Sequence, residues 1–249
     1  MTFQPISAAQ ALIAARQNIA GVPWTTACPA DVRGAYAIQD ATLPALGPIG
    51  GWKVGAKDSV AEPICAPLPA SCLLPSGTNL SGSQWRLRGV EVELGLRVGC
   101  DLDHVPSDLT VGELADAFDA VLPIIEVLET RLDDWEASAP LAKLADLQSH
   151  GALLLGTPAP VPAMAIDLRT LVTELEFDGR TVARTQGGNP AGDVWRILSW
   201  LVKHCADRGI PLRRGQIVTT GSCTGVLFAE KGTHVKGHLT GLGSVEMSF

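Results

Sequence analysis

Basic clusters, long apolar runs and aromatic side chains are all scarce in this sequence. Aromatic residues make up 5 % of its 249 residues, and the formal net charge is −7. The longest Lys/Arg cluster is the pair Arg213–Arg214, so the extended basic face of a nucleic-acid-binding protein is missing. No uninterrupted apolar run approaches the roughly 20 residues that a membrane-spanning helix needs. We therefore expect neither a nucleic acid nor a membrane among its partners.

Cysteine spacings typical of zinc or redox sites are also missing. None of the cysteines lies in a CxxC motif or beside histidine at zinc-ligand spacing, so we interpret them as reduced core thiols. The first residues do not follow the basic, apolar and small-residue order of a signal peptide, and we predict a cytoplasmic protein. GxGxxG, P-loop and GxSxG motifs are absent, which gives no reason to expect a nucleotide site or a serine nucleophile.

The composition and punctuation of the chain predict an α+β fold. Hydrophobic residues make up 46 % and charged residues 18 %, typical of a folded protein with a sizeable core. Helical patterns begin the chain, with a predicted cap at Ser7 and a second helix over Asp31–Leu46 that is interrupted at Pro44. From Gly50 onward, short apolar runs separated by turn residues predict strands. These runs are Gly51–Val54, Ile64–Leu68, Cys72–Leu74, Val90–Val98, Val121–Leu128, Ala152–Leu155, Gln216–Thr220, Val226–Phe228, His234–His238 and Val245–Phe249.

Three local patterns complete the fold prediction. The alternating run Leu171–Phe177 meets Asp178–Gly179, which predicts a β-hairpin. Asp193 begins a helix with one apolar face that ends before Gly209. A short helix is predicted over Val111–Asp119. We expect one domain spanning residues 1–249, with a small helical part (1–48), a β-rich part (49–249) and a mixed or barrel-like sheet.

The most informative segment runs from Gly89 to Val98 and alternates as a β-strand does. Its apolar residues face one side, and the other side carries Glu91, Glu93, Gly95 and Arg97. Two carboxylates pointing the same way repel each other unless a cation or a proton lies between them. We expect Gly95 to leave open space beside them. A solvent-exposed strand face is the alternative explanation.

Glu126 is a third carboxylate, inside the apolar run Val121–Leu128. A buried charge in such a run needs a partner. Three carboxylates without histidine or cysteine form a hard-oxygen site that suits Mg²⁺, Mn²⁺ or Ca²⁺. An exposed edge, or an ion pair with Arg131 or Arg97, is the alternative.

Lys53 lies in the glycine-flanked strand Ile49–Gly55. It can pair with a substrate carboxylate or act as an acid–base group, although a lysine that reaches solvent fits the local sequence as well. Hydroxyl groups of Ser149, Thr220 and Ser222 can bind substrate oxygens. The polarity of an ordinary turn or loop explains these hydroxyl groups equally well.

At these positions the sequence resembles the 2-oxopent-4-enoate (2-hydroxypenta-2,4-dienoate) hydratases and the related 2-oxo-3-hexenedioate decarboxylases. Both groups belong to the fumarylacetoacetate hydrolase superfamily, and the resemblance runs from about Gly50 to Phe249. The segments that carry it are Gly51–Gly55, Val90–Leu94, Pro123–Val127 with Arg131 and Trp135, Thr220–Ser222 and Gly241–Val245. The chain departs from the family pattern at Pro75-Ser76-Gly77, at Glu129 and over Ala145–Ser149, which surround the substrate rather than the metal.

The resemblance implies a mixed β-sandwich roll of the fumarylacetoacetate hydrolase C-terminal type, an Mg²⁺ or Mn²⁺ cofactor and a homo-oligomer. It implies that Glu91, Glu93 and Glu126 bind the metal and that Lys53 lies near the substrate. The activity implied is metal-dependent addition of water to 2-hydroxypenta-2,4-dienoate, giving 4-hydroxy-2-oxopentanoate in aromatic-compound degradation. The alternatives are a 2-oxo-3-hexenedioate (4-oxalocrotonate) decarboxylase and a non-catalytic metal-binding homologue.

Overall fold

The computed structural model describes residues 4–17, 21–103, 106 and 109–249. Its helices are α1 (Pro5–Gln17), α2 (Val32–Thr42), α3 (Val111–Asp116), α4 (Pro140–Ala145) and α5 (Val194–Asp207). Its strands are β1 (Ile49–Gly55), β2 (Ile64–Pro69), β3 (Leu73–Pro75), β4 (Thr78–Asn79), β5 (Gly89–Val98), β6 (Phe118–Leu128), β7 (His150–Leu155), β8 (Val172–Phe177), β9 (Arg180–Gln186), β10 (Ile217–Ser222), β11 (Leu227–Phe228), β12 (His234–Leu239) and β13 (Gly243–Ser248). No helix in these ranges is both long enough and apolar enough to cross a membrane.

The N-terminal helices follow the predicted pattern with one correction. Helix α1 begins at Pro5, so Ser7 lies within the first turn of the helix and does not cap it, because the fixed φ of proline suits the first helical position. Asp31 caps α2 by accepting a hydrogen bond from Gly34 N at 2.8 Å, and the chain tightens into a 3₁₀ turn at Leu43–Ala45. Residues 1–3 and 18–20 of the predicted helical part lie outside the described residues.

Two mixed sheets form the body of the molecule, as the predicted fold class requires. The larger sheet has the order β2-β1-β10-β5-β6-β7-β3, and β11 pairs with β5. Within it, β1 and β10 are parallel, as are β3 and β7, while β5 and β6 form the long antiparallel pair at its centre. The smaller sheet has the order β4-β13-β12-β8-β9.

The predicted hairpin and the predicted α5 are confirmed. Strands β8 and β9 are joined at Asp178–Gly179, with Phe177 opposite Arg180. Asp193 caps α5, because its carboxylate accepts a hydrogen bond from Trp195 N at 2.9 Å. The short helix α3 ends at Asp116 rather than Asp119, because Phe118 already pairs with Val98 in the larger sheet.

The smaller sheet packs on one face of the central β5–β6 pair of the larger sheet. On β12, Gly237 lies so close that an added Cβ would be 2.9 Å from Val92 and 3.3 Å from Ile125. The opposite face of the pair carries a smaller apolar cluster, which consists of Leu68, Leu122, Ile124, Leu153 and Ile217. Glu126 lies on this second face, because alternate residues of a strand share a face and Ile124 precedes it by two positions. The fold therefore places the carboxylates on the side away from the smaller sheet.

Candidate metal centre

The pairing of β5 with β6 brings three glutamates together. Glu91 lies directly opposite Glu126, and Glu93 follows two residues later on the same face. One carboxylate oxygen from each residue lies within 4.8 Å of the others. Glu93 is 1 % exposed and Glu126 is fully buried, so the interpretation of this strand face as solvent-exposed is wrong.

Lys53 is buried beside Glu126. Its Nζ donates to Glu126 Oε1 at 2.7 Å and to the carbonyl oxygen of Gln148 at 3.2 Å. His150 Nδ1 lies 3.0 Å from the same carboxylate oxygen. The other oxygen, Glu126 Oε2, is buried and has no hydrogen-bond partner among the described residues. A lysine that reaches solvent is therefore the wrong interpretation of Lys53.

The arginines considered as partners of Glu126 are engaged elsewhere. Arg131 Nε donates to Asp146 Oδ1 at 2.5 Å, with both side chains buried. Arg97 Nε donates to Asp119 Oδ1 at 2.6 Å near the end of the β5–β6 pair. The carboxylate of Glu126 is thus neutralised by Lys53 and not by an arginine.

Glu93 is held by the neighbouring strand β10. Its Oε2 accepts hydrogen bonds from the Thr219 hydroxyl and from Gly221 N, the latter at 2.9 Å. The β10–β5 register shifts between Thr219 and Ser222, and Gly221 adopts a left-handed conformation with φ 89°. Glycine permits this conformation at little cost, and it turns the backbone N–H toward the carboxylate.

The predicted substrate-binding hydroxyl groups occupy different surroundings. Ser222 lies opposite Glu93 in the sheet, and its buried hydroxyl group lowers the pKa of Glu91 as a hydrogen-bond partner. Thr220 points its hydroxyl at the carbonyl oxygen of Leu94, 2.9 Å away. Ser149 is 2 % exposed, and its Oγ accepts a hydrogen bond from Trp135 Nε1 at 3.0 Å. Ser222 therefore brings its hydroxyl group to the carboxylates, and Ser149 keeps an O–H donor for another acceptor.

Burial and mutual repulsion raise the pKa of two of the three glutamates. Burial raises the pKa of Glu91 to about 7; Lys53 lowers it and Glu126 raises it further. The pKa of Glu93 is raised well above its ordinary value, first by burial and then by the charges of Glu126 and Glu91. A divalent cation between the carboxylates would remove the repulsion and favour their ionised forms.

Lys53 and Glu126 stabilise each other's charged forms. Burial disfavours the ionised carboxylate of Glu126, but Lys53 and His150 outweigh burial and lower its pKa. Burial likewise disfavours the ammonium of Lys53, but Glu126, Glu91 and Glu93 together raise its pKa. The pair is therefore an ammonium and a carboxylate at neutral pH.

His150 completes the surroundings of Glu126. It is fully buried, and burial, its largest influence, lowers its pKa, so the ring is neutral at pH 7. Because a carboxylate only accepts hydrogen bonds, the neutral ring donates from Nδ1–H and leaves Nε2 as an acceptor. Nε2 is buried and without a partner among the described residues.

A strained turn leads into His150. Leu147, Gln148 and Ser149 have φ values of 50°, 53° and 58°, in the left-handed region that non-glycine residues rarely adopt. Each such residue costs roughly 1 kcal/mol. The turn points the carbonyl oxygen of Gln148 at Lys53. The strain is therefore located where the backbone orients the buried lysine.

Gly95 does not leave open space beside the carboxylates, contrary to expectation. A Cβ at this position would lie 2.1 Å from Ile124 Cδ1 and 3.4 Å from Leu122 Cδ2. The side chain of Ile124 fills the place that Gly95 vacates, because these strands are paired closely and Leu122 is the direct partner of Gly95. Apolar side chains therefore fill the space beside Gly95, and no open space is left there.

The residues present fit a divalent cation. The donor set consists of carboxylate oxygens, the ligands that Mg²⁺, Mn²⁺ and Ca²⁺ prefer. Glu126 Oε2 is a buried acceptor without a hydrogen-bond partner among the described residues, as expected of an oxygen that binds a metal ion. Lys53 and His150 hold the other oxygen and orient the carboxylate.

Two residues of the site, Thr219 and His150, were not singled out from the sequence. Thr219 is adjacent to the predicted Thr220, and only the strand register decides which hydroxyl faces Glu93. His150 stands in a polar stretch typical of a loop, and its contact with Glu126 depends on the pairing of β6 with β7. A strand assignment that began at His150 rather than Ala152 would have pointed to it.

Comparisons with known proteins identify the family to which this chain is similar. The family model described as Fumarylacetoacetate (FAA) hydrolase C-terminal matches residues 48–249. A 2-keto-4-pentenoate hydratase of Paraburkholderia phymatum is 30 % identical over 246 residues, covering 94 % of this chain and 92 % of that protein. A 2-keto-4-pentenoate hydratase of Paraburkholderia xenovorans is 29 % identical over 160 residues, 64 % of this chain, and the alignment spans only 58 % of that relative's length.

A solved structure covers nearly the whole chain. The 4-oxalocrotonate decarboxylase from Pseudomonas putida G7, complexed with magnesium and adipate, superposes with a TM-score of 0.86 at 25 % identity. The match covers 99 % of this chain and 97 % of that one. The similarity therefore extends beyond the β-rich part to the N-terminal helices.

Proposed function

The chain belongs to the fumarylacetoacetate hydrolase family, and from that premise we propose that it is a divalent-metal-dependent hydratase of small 2-oxo acids. The proposed reaction adds water to 2-hydroxypenta-2,4-dienoate (2-oxopent-4-enoate) and yields 4-hydroxy-2-oxopentanoate. The observation that carries the proposal is the cluster of Glu91, Glu93 and Glu126, whose oxygens lie within 4.8 Å of one another beside a buried lysine. The 2-keto-4-pentenoate hydratases among its relatives support the substrate class.

In this proposal Glu91, Glu93 and Glu126 hold Mg²⁺ or Mn²⁺. Such a cation, when bound, supplies Lewis-acid polarisation of the 2-oxo acid. The protein contributes the geometry: Thr219 and Gly221 fix the Glu93 carboxylate, while Lys53 and His150 fix that of Glu126. These hydrogen bonds to the carboxylates determine which oxygen of each one faces the cation.

Lys53 is the candidate catalytic residue. Its ammonium can bind the substrate carboxylate, or it can deliver the proton that the far end of the dienol requires when it becomes a ketone. The pair with Glu126 keeps the ammonium charged and in place, because the structure raises the pKa of Lys53. Ser222 can bind a substrate oxygen with its hydroxyl group, which lies beside Glu91. Ser149 can still donate its O–H, because its Oγ accepts from Trp135, whereas Thr220 must first release the carbonyl oxygen of Leu94.

The second candidate activity is 4-oxalocrotonate decarboxylation, which the close structural similarity to the Pseudomonas putida decarboxylase favours. Its substrate carries a second carboxylate and calls for another cationic anchor near the metal. Arg97 is the cation on the same strand as Glu91 and Glu93, but it is paired with Asp119. Lys57 is another cation that could serve as this anchor.

The test follows the ultraviolet absorbance of 2-hydroxypenta-2,4-dienoate with protein that has been stripped of metal by EDTA. We expect loss of the dienoate band only after Mg²⁺ or Mn²⁺ is added, with 4-hydroxy-2-oxopentanoate as the product. CO₂ release from 2-oxo-3-hexenedioate without hydration of the monocarboxylate would replace the hydratase with the decarboxylase. Metal binding without turnover of either substrate would show a non-catalytic homologue.

A further inference from the structure

A cavity of about 340 Å³ opens between the end of α1 and the segment that precedes β5. Three arginines and one glutamate line it, namely Arg16, Arg86, Arg131 and Glu129. None of the three metal-binding glutamates and neither Lys53 nor Ser222 belongs to its lining. The cavity is therefore separate from the proposed metal centre.

Two of its four charged residues already have partners within the protein. Glu129 Oε2 accepts hydrogen bonds from the backbone N–H groups of Arg86 and Leu87 at 2.6 and 2.8 Å. Glu129 Oε1 accepts a third from Thr130 N at 3.0 Å. Arg131 forms the buried ion pair with Asp146. Glu129 keeps its negative charge, but its oxygens are occupied by these backbone donors and do not pair with either of the remaining two guanidinium groups.

Arg16 and Arg86 lack an acidic partner. In the described part of the chain, no carboxylate oxygen lies within 4.0 Å of either guanidinium. Arg86 donates from one terminal nitrogen to the carbonyl oxygens of Thr130 and Leu132, at 2.9 and 3.4 Å. Arg16 is half-buried, and its Nε is wholly buried without any hydrogen-bond partner among these residues.

The charge of Arg16 is costly where it stands. Burial, followed by repulsion from Arg131, lowers the pKa of its guanidinium to about 10. Asp146, which is paired with Arg131, offsets this only in part. A buried guanidinium nitrogen without an acceptor destabilises the folded state, and such groups usually have a ligand or another partner. An anion bound in the cavity would supply the acceptor that Arg16 Nε lacks.

We propose that this cavity is a binding site for a small organic carboxylate, which is held between Arg16 and Arg86. Guanidinium groups present paired N–H donors that match the two oxygens of a carboxylate. Trp85 and Ala15 supply apolar lining for a short carbon chain, and the volume lies at the lower end of the range for small-molecule sites. The site is independent of the hydratase proposal and of the metal.

The test is calorimetric titration of metal-stripped protein with sodium succinate, at an ionic strength held constant with sodium chloride. We expect saturable one-to-one binding, and at least about tenfold weaker binding by Arg16→Met and by Arg86→Met, because each loses charge-assisted hydrogen bonds. The matched control is Arg33→Met, which removes an exposed arginine at the start of α2 and should bind as the wild type does. Arg16→Lys keeps the charge but not the paired donors and should also bind at least about tenfold more weakly.

Three results would overturn the proposal. The first is the absence of saturable binding above the chloride control, and the second is unchanged affinity in both Arg16→Met and Arg86→Met. The third is saturable binding of inorganic phosphate with no binding of succinate, which would assign another class of anion to the cavity. Glu93→Gln should retain full succinate binding, so failure of the metal centre and failure of this site can be distinguished.

Discussion

Lys53 and Glu126 form a buried ion pair across two strands that are not neighbours, with Nζ 2.7 Å from Oε1. Strands β10 and β5 lie between β1 and β6 in the larger sheet. The long lysine side chain therefore crosses the face on which Glu93 lies. This arrangement makes the ion pair and the carboxylate cluster a single electrostatic unit, in which a change to one member alters the others.

If the proposed metal centre is correct, Glu93→Gln should bind metal more weakly by about 100-fold or more and should lose metal-dependent turnover, because it removes one of the three proposed ligands. The amide oxygen can still accept the hydrogen bonds from Thr219 and Gly221, so the fold should be retained. Calorimetric titration with Mg²⁺ or Mn²⁺ measures the loss. Glu62→Gln, which neutralises an exposed glutamate, is the control. A Glu93→Gln protein with wild-type metal affinity would remove Glu93 from the site.

Lys53→Met should lower the free energy of unfolding by about 3 kcal/mol or more in metal-free protein, because it leaves the buried Glu126 carboxylate without its counter-charge. Adding Glu126→Gln should recover much of that loss, since a neutral amide is cheaper to bury than an unpaired charge. Urea unfolding of the wild type, both single variants and the double variant measures the coupling. Strict additivity would show that the two groups do not interact.

The stability of metal-free protein should fall as the pH rises from about 5 to 7. Glu91 holds its proton up to pH about 7 in the folded state, whereas in an unfolded chain it releases the proton near its ordinary value of 4.5. The folded state binds more protons across this interval, so the free energy of unfolding decreases with pH, by about 2–3 kcal/mol in total. Glu91→Gln cannot titrate and should show a flatter profile. Urea unfolding in EDTA at several pH values measures the free energy of unfolding of both proteins. Equal slopes of that free energy against pH would contradict the prediction.

Gly95→Ala should cost about 1–3 kcal/mol of stability, because the new Cβ would meet Ile124 Cδ1 at 2.1 Å in a closely packed region. Ile124→Val removes that methyl group and alone should cost about 0.5–1.5 kcal/mol. The double variant should be more stable than the sum of the two losses implies. Urea unfolding measures all three variants, and a simple sum of the two costs would mean that the clash is relieved elsewhere.

Local patterns sufficed to predict most of the secondary structure and the three carboxylates. The alternation around Glu91 and Glu93, the apolar surroundings of Glu126, the Asp178–Gly179 turn and the Asp193 cap all depend on residues close in sequence. Such patterns predict which strands exist and which face of each strand is polar. They do not contain the order of strands in the sheet.

The contacts that depend on the order of strands in the sheet could not be predicted from the sequence. The hydrogen bond between Thr219 and Glu93 joins residues 126 positions apart, and that between Lys53 and Glu126 joins residues 73 positions apart. A register change of one residue in β10 would exchange Thr219 for Thr220. Similarly, the space at Gly95 could not be assigned to Ile124 until the pairing of β5 with β6 was known.

The same wide separation has a consequence for the timing of folding. The carboxylates, Lys53 and Thr219 come from four strands, and they meet only when the centre of the larger sheet is complete. Forming contacts between such distant residues is slow, and a half-formed sheet offers no cation a full set of ligands. A bound metal should consequently leave the folding rate unchanged and slow unfolding, because it stabilises contacts that are absent from the transition state. The metal would then bind after the chain has folded and would keep the folded chain from unfolding.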